Sequence, residues 1–202
     1  MMDDANGLNV SRETKERLGK LASAIERWNP RINLVSGKTI PDLWNRHILD
    51  SIQLADHSAG AKTWVDLGSG GGFPGLVLAA MEEMAGTEFT LVESDSRKTA
   101  FLKEAARQMN IAINIRNQRI EEASTPDFDI VSARALAPLP KLLDYAALYL
   151  RPTGRCLFMK GANFEKELED ARKTWRFEVS LCQSRTDPQG RILVIEGLRR
   201  ND

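Results

Sequence analysis

The stretch Val65-Asp66-Leu67-Gly68-Ser69-Gly70-Gly71-Gly72-Phe73-Pro74-Gly75 decides the fold. Before it, residues 63–67 form a short, largely apolar run that reads as a strand. After it, Pro74 suits the first turn of a helix, and the apolar residues that follow carry that helix to about Met84. The glycines between them permit positive φ and let a ligand come close to the backbone. A strand, a glycine loop and a helix in this order mark the place where a doubly wound sheet binds its ligand.

The loop narrows which ligand. In the nicotinamide fingerprint G-x-G-x-x-G the third glycine would fall on Phe73, and no Gly-Lys-Ser/Thr follows for a phosphate loop. Asp66, leading the loop, would repel a pyrophosphate and suits a cationic amine. S-adenosylmethionine carries such an amine and no phosphate, so Asp66, Gly68 and Gly70 point to it as the cofactor. The next strand, Phe89 to Glu93, ends in a carboxylate suited to both hydroxyls of a ribose. Farther on, Arg119-Ile120-Glu121-Glu122 offers Ile120 to pack on an adenine ring and Glu121 or the backbone to hold its edge.

Outward from this unit, strands and helices alternate. Further strands are expected at Ala112–Ile115, Phe128–Ala133 and Arg155–Lys160. Helices are expected after a Ser96 cap, from Pro140 to Leu150, and from Phe164 to Trp175. Such alternation implies right-handed crossovers and a parallel sheet. Residues 177–184 and 191–198 both read as strands, with Asp187-Pro188-Gln189-Gly190 between them and no helix, so they must form an antiparallel hairpin. The expected fold is α/β: a class I, Rossmann-like, mostly parallel seven-stranded sheet ending in that hairpin, over residues 61–202. Residues 1–60 read as an N-terminal helical extension packed on this core. Ser11 caps a first helix with Leu18, Leu21, Ala22, Ile25 and Trp28 on one face, ended by Asn29-Pro30. A second helix opens near Pro41, carries Leu43, His47, Ile48 and Ile52 on one side, and closes at 58–60.

Composition sets the outer bounds. With 202 residues the chain is one domain plus an extension, large enough to need no disulfide staple. No apolar run approaches the roughly 18 residues of a membrane span, and the first ten residues lack the basic and apolar regions of a signal peptide. Cys156 and Cys182 have no metal-ligand or disulfide-framework spacing, which fits a metal-free protein of a reducing cytoplasm. The 28 basic and 28 acidic residues cancel, against a chain that binds nucleic acid with its whole surface. Locally they do not cancel. Arg97, Lys98, Lys103, Arg107, Arg116 and Arg119 face only Asp95 and Glu104, and five bases between Arg134 and Lys160 face only Asp144.

Missing residues bear on the chemistry. The segment after the fourth strand, 129–138, lacks the Asn/Asp-Pro-Pro-aromatic motif of enzymes that methylate exocyclic amines. Both cysteines fall inside expected strands, where they act as small apolar groups and not as loop nucleophiles. The acceptor expected is one that needs no deprotonation, such as guanine N7 with its in-plane lone pair. Catalysis is then positioning and exclusion of water, with no general base. Three residues are candidates for holding substrate. Arg134 ends the fourth strand and suits a cofactor carboxylate, a phosphate or a guanine edge, or else an ion pair with a nearby acid. His47 is either a binding residue or a hydrogen-bonded packing residue. Lys160, before Gly161, either meets an RNA phosphate or simply ends a strand.

Several of these segments together resemble the RsmG (GidB) family of bacterial 16S ribosomal RNA methyltransferases over essentially the whole chain. They are Trp28-Asn29-Pro30 with Asn33-Leu34, Arg46-His47-Ile48-Leu49-Asp50-Ser51, the loop from Asp66 to Gly75, Glu93-Ser94 with Arg97-Lys98-Thr99 and Phe101-Leu102, and Ser132-Ala133-Arg134-Ala135. The chain departs from the family at Ser69-Gly70-Gly71-Gly72, where Thr-Gly-Pro-Gly is frequent, and at Ala133, where serine is frequent. The resemblance implies methylation of N7 of one guanine in the decoding-region hairpin of 16S rRNA, on free rRNA or on the small-subunit particle, and no protein partner is evident from the sequence. It also implies that Gly68, Phe73, Ile120, Glu121 and Arg134 contact the cofactor. Two other readings stay open on residues alone: a methyltransferase of the same fold acting on a small molecule or protein, and a non-catalytic nucleotide-binding sensor.

Overall fold

The structure is a computed structural model that describes residues 10–122 and 127–201. Helix α1 runs from Arg12 to Ile32, and Ser11 caps it by accepting from the Thr14 amide. It passes through Pro30, where the sequence suggested a stop. The buried Asn29 side chain shapes the exit just after: its Oδ1 accepts from the amides of Leu34 and Val35 at 2.7 and 2.9 Å and turns the chain. The single helix expected from Pro41 is instead four short turns: a 3-10 turn Gly37–Asp42, a π turn Trp44–Leu49, α2 Asp50–Ile52, and a 3-10 turn Gln53–His57. Side chains here compete for helix carbonyls. The Ser51 hydroxyl donates to the His47 carbonyl and the Gln53 amide to that of Asp50.

The α/β core then follows: β1 (Thr63–Leu67), α3 (Gly75–Ala79), β2 (Glu88–Glu93), α4 (Ser96–Met109), β3 (Asn114–Asn117), β4 (Phe128–Arg134), α5 (Leu139–Ala146), β5 (Leu150–Lys160), α6 (Phe164–Arg172), β6 (Trp175–Gln183) and β7 (Arg191–Arg200). The seven strands lie in the order β3-β2-β1-β4-β5-β7-β6, and β7 alone runs against its neighbours. The expected class and closing hairpin are therefore present. Details differ. Helix α3 ends at Ala79, because Met81 is extended and only a 3-10 turn follows. Asp95, not Ser96, caps α4 by accepting from the Arg97 amide. Strand β3 starts two residues later than expected, α5 is shorter, and Trp175 belongs to β6 rather than to the preceding helix.

Period-two alternation splits the apolar residues between the two faces of the sheet. Trp64, Leu91, Ile130 and Leu157 pack with α1, α3 and α4, and Val65, Leu67, Val131 and Phe158 pack with α5 and α6. The N-terminal segment shares the first of these cores: Leu18, Leu21 and Ile25 are fully buried in it, and the Trp28 ring meets the edge of Phe101 at 5.9 Å. Each such side chain contributes about 1.5–3 kcal/mol on burial. Among the described residues no helix is long and apolar enough to cross a membrane, and no cluster of His, Cys, Asp and Glu could hold a metal ion.

Candidate active site

The chain leaves β1 toward β2 on one side and returns to β4 on the other, so the order in which strands are added reverses between the parallel β1 and β4. Ligands bind at such a switch point, outside the carboxyl ends of the strands. Two clefts open there, and both are lined by Ala135. Ala135 has φ +51°, a left-handed conformation that costs a non-glycine residue about 1–2 kcal/mol. The strain sits where the chain turns out of β4 between the two openings.

The first cleft, about 320 Å³, is lined by Gly68, Gly70, Val92, Glu93, Ser94, Lys98, residues 118–121, Ala135, Leu136 and Tyr145. The glycine loop is pinned to β2, because the amides of Gly68 and Ser69 both donate to the Val92 carbonyl. Glu93 braces it further, accepting from the Gly70 amide at 2.9 Å and the Asp95 amide at 2.8 Å. Each Glu93 oxygen keeps a lone pair for a ligand hydroxyl. The same contact decides against a dinucleotide, since a carboxylate already holds the loop amide that a pyrophosphate would need. Leu136 lies directly over Gly68, where an added Cβ would come within 2.6 Å of its methyl. With Val92, Ile120 and the Tyr145 ring it gives the cleft an apolar side. The pKa of the exposed Glu121 is lowered, by its own backbone amide and then by the Tyr145 hydroxyl, so the carboxylate stands charged at the cleft edge. The carboxylates of Glu93 and Glu121 and the apolar Val92, Ile120 and Leu136 fit S-adenosylmethionine.

Asp66 is not in this cleft. It is fully buried beneath the loop, where its carboxylate accepts from Ser132 Oγ at 2.7 Å and from the Gly75 amide at 3.3 Å. Burial raises its pKa to about 6, against the opposing pull of these hydrogen bonds. The expectation that Asp66 meets a cationic amine is corrected: it braces the loop from behind. Gly75 permits this, because an added Cβ there would lie 2.4 Å from Leu91 and 2.7 Å from the Asp66 Cβ.

The second cleft, about 350 Å³, gathers residues far apart in sequence: Thr39, Arg46, His47, Asp50, Arg134, Met159, Lys160, Glu167, and the β6–β7 turn with Arg191. Arg134 lines this cleft and not the first. Its guanidinium lies 4.9 Å over the Phe73 ring, 3.5 Å from Asp50 Oδ2, and donates to the Arg46 carbonyl. Burial works against its charge, and Asp50 and Asp66 oppose that effect. Phe73 itself is buried, with the Arg134 guanidinium over its ring and the His47 ring tilted against it at 5.0 Å, and it lines neither cleft. Phe73 therefore reaches the site only as the floor under Arg134.

His47 is held in one protonation state. Arg134 can only donate, so His47 Nδ1 accepts from it and Nε2–H donates to Thr39 Oγ1 at 2.7 Å. Burial, then Arg134 and Arg46, push its pKa down to about 3. Lys160 is also committed, bonded to Glu167 at 2.6 Å and to the Ala137 carbonyl at 2.9 Å, and largely buried. The expectation that Lys160 meets an RNA phosphate is corrected: it fixes the loop after Arg134. Cys156 is fully buried, which raises its thiol pKa and leaves no nucleophile there. Asp50 was missed as a site residue. It accepts from Thr186, Ser184 and Gln53 as well as facing Arg134, and so ties α2 to the hairpin turn.

The sequence profile of a family described as GidB, rRNA small subunit methyltransferase G, matches residues 14–199. A protein of Ruegeria pomeroyi named ribosomal RNA small subunit methyltransferase G is 52% identical over 99% of both chains. One of the same name from Gluconobacter oxydans is 49% identical over 95% of this chain and 97% of its own. Among solved structures, the ribosomal protein L11 methylase of Lactobacillus delbrueckii superposes with a TM-score of 0.58, covering 76% of this chain and 77% of that one at 16% identity. That likeness is one of fold.

Proposed function

The chain belongs to the rRNA small subunit methyltransferase G family, and from that premise we propose that it methylates N7 of one guanine in the decoding-region hairpin of 16S rRNA. The observation that carries this reading is the pair of clefts meeting at Ala135. Gly68, Gly70, Glu93, Ile120 and Glu121 hold S-adenosylmethionine in the first, and the target base enters the second. The donor supplies a methyl group on positively charged sulfur, and the N7 lone pair forms the new bond as the old bond's electrons return to sulfur.

No proton leaves N7, so no side chain has to accept one. This agrees with His47, whose two nitrogens are both engaged. The protein's contribution is to align the base and keep water out. Arg134, fixed by His47, Asp50, the Arg46 carbonyl and the Phe73 ring, offers a rigid fork beside the shared wall. A cytoplasmic place of action goes with that substrate.

The test is mass mapping of 16S rRNA from cells lacking the chain. We expect loss of one N7-methylguanosine, restored when the chain is supplied again. A complete set of methylations in the deleted cells overturns the reading.

A further inference from the structure

Four cations line the second cleft: Arg46, Arg134, Lys160 and Arg191. Three face a carboxylate there. Arg46 meets Asp187 at 3.2 Å, Arg134 meets Asp50 at 3.5 Å, and Lys160 meets Glu167 at 2.6 Å. Arg191 has no carboxylate partner among the described residues. Its Nη1 donates to the carbonyls of Pro188 and Gly190, at 3.1 and 2.8 Å, and its guanidinium lies 5.4 Å from the centre of the Phe164 ring.

This cation is also held still. The same two carbonyls accept from Gln183 Nε2, each at 3.1 Å, so the turn that grips Arg191 is itself gripped. Ser184 Oγ accepts from the amides of Thr186 and Asp187 and closes the turn further. With the other three charges cancelled locally, Arg191 supplies the surplus positive charge of the cleft. A planar fork with one nitrogen anchored to carbonyls and the rest undirected toward any acid is suited to a phosphate oxygen pair.

We infer that Arg191 binds a phosphodiester of the RNA strand beside the target guanine, and so registers that base against the shared wall at Ala135. The inference rests on the RNA-methylating reading and deepens it. Gln183 is the positioning residue behind Arg191.

The experiment measures binding of a 16S rRNA transcript, and methyl transfer to small-subunit particles, for the intact protein and for Arg191→Met, across a salt series. Methionine keeps an unbranched apolar stem over Phe164 and removes the charge together with the donors to Pro188 and Gly190, whose carbonyls keep the Gln183 amide. We expect RNA affinity to fall about tenfold, with the slope of log K against log salt shallower by about 0.7, the value of one single-strand phosphate contact. Affinity for S-adenosylmethionine should not change. Arg191→Gln, which keeps one NH2 donor group on a shorter stem and no charge, should show the same shallower slope and provides the measurement if Arg191→Met does not fold. Weakened RNA binding with the original slope, or binding equal to that of the intact protein, overturns the assignment of Arg191. Failure of the unaltered protein to methylate either rRNA or particles overturns instead the functional reading beneath it.

Discussion

The two clefts share a wall, yet they are assembled on opposite principles. The first is largely local: two successive crossovers bring the ends of β1, β2 and β3 side by side, and each contributes a short run of chain. Backbone amides and carbonyls do much of the bracing, as in the bonds from Gly68 and Ser69 to Val92. The second is distant: residues 39–50, 134–135, 159–161 and 184–192 meet through side chains, and Asp50 joins Arg134 to Thr186 across 136 positions. In the first cleft backbone groups carry much of the bracing, and in the second charged and hydroxyl side chains carry it.

The comparison can be broken at three points. The largest effect is expected from Gly70→Asp. Gly70 has φ +52°, which aspartate adopts more readily than most residues, and an added Cβ meets nothing nearer than 3.8 Å. The fold should survive, while a second carboxylate enters beside Glu93. Calorimetry should show S-adenosylmethionine affinity reduced at least a thousandfold, and unchanged affinity would remove the first cleft from the donor's path.

Next is Asp66→Asn. A buried acid whose pKa rises to about 6 from 3.8 adds stability below about pH 4, and that stability is lost as pH rises through 6. The difference amounts to about 3 kcal/mol. Chemical denaturation at pH 4 and pH 7 should show this loss in the parent and not in Asp66→Asn. Equal pH dependence in both would mean that Asp66 faces solvent or a cation.

The smallest effect is expected from Arg134→Ala. Losing its charge-assisted bonds should slow methyl transfer to RNA about 30-fold, within the range of roughly 1.5–3 kcal/mol for such bonds. S-adenosylmethionine affinity should stay within about threefold, since Arg134 lies in the other cleft. An equal loss in donor affinity would merge the two clefts into one site.

The difference in construction also explains what was legible in the sequence. The strand, loop and helix around Gly68 and the carboxylate at Glu93 could be read directly, because glycine spacing and strand ends are local signals. Asp66 reads as ligand-facing in the sequence, whereas its carboxylate is buried beneath the loop. Alternation along β1 puts it on the same face as Trp64, toward α3, and only the approach of Gly75 shows that its carboxylate is turned inward. Lys160 looked available because the partner that neutralises it, Glu167, lies on α6 and could be placed only by the crossover geometry. The broken helix at 37–57 was invisible for a similar reason. Its apolar spacing is helical, but the hydroxyl of Ser51 and the amide of Gln53 redirect its carbonyls.

The tie between Asp50 and the hairpin turn has a temporal consequence. Residues 63–121 contain most of the donor cleft, and their contacts close over short stretches of chain. The bond from Thr186 to Asp50 must close a loop of well over a hundred residues, the kind of contact that forms late because its entropy cost comes first. On a chain made from its N-terminus, most of the residues that line the first cleft therefore emerge well before Thr186, which supplies the latch of the second.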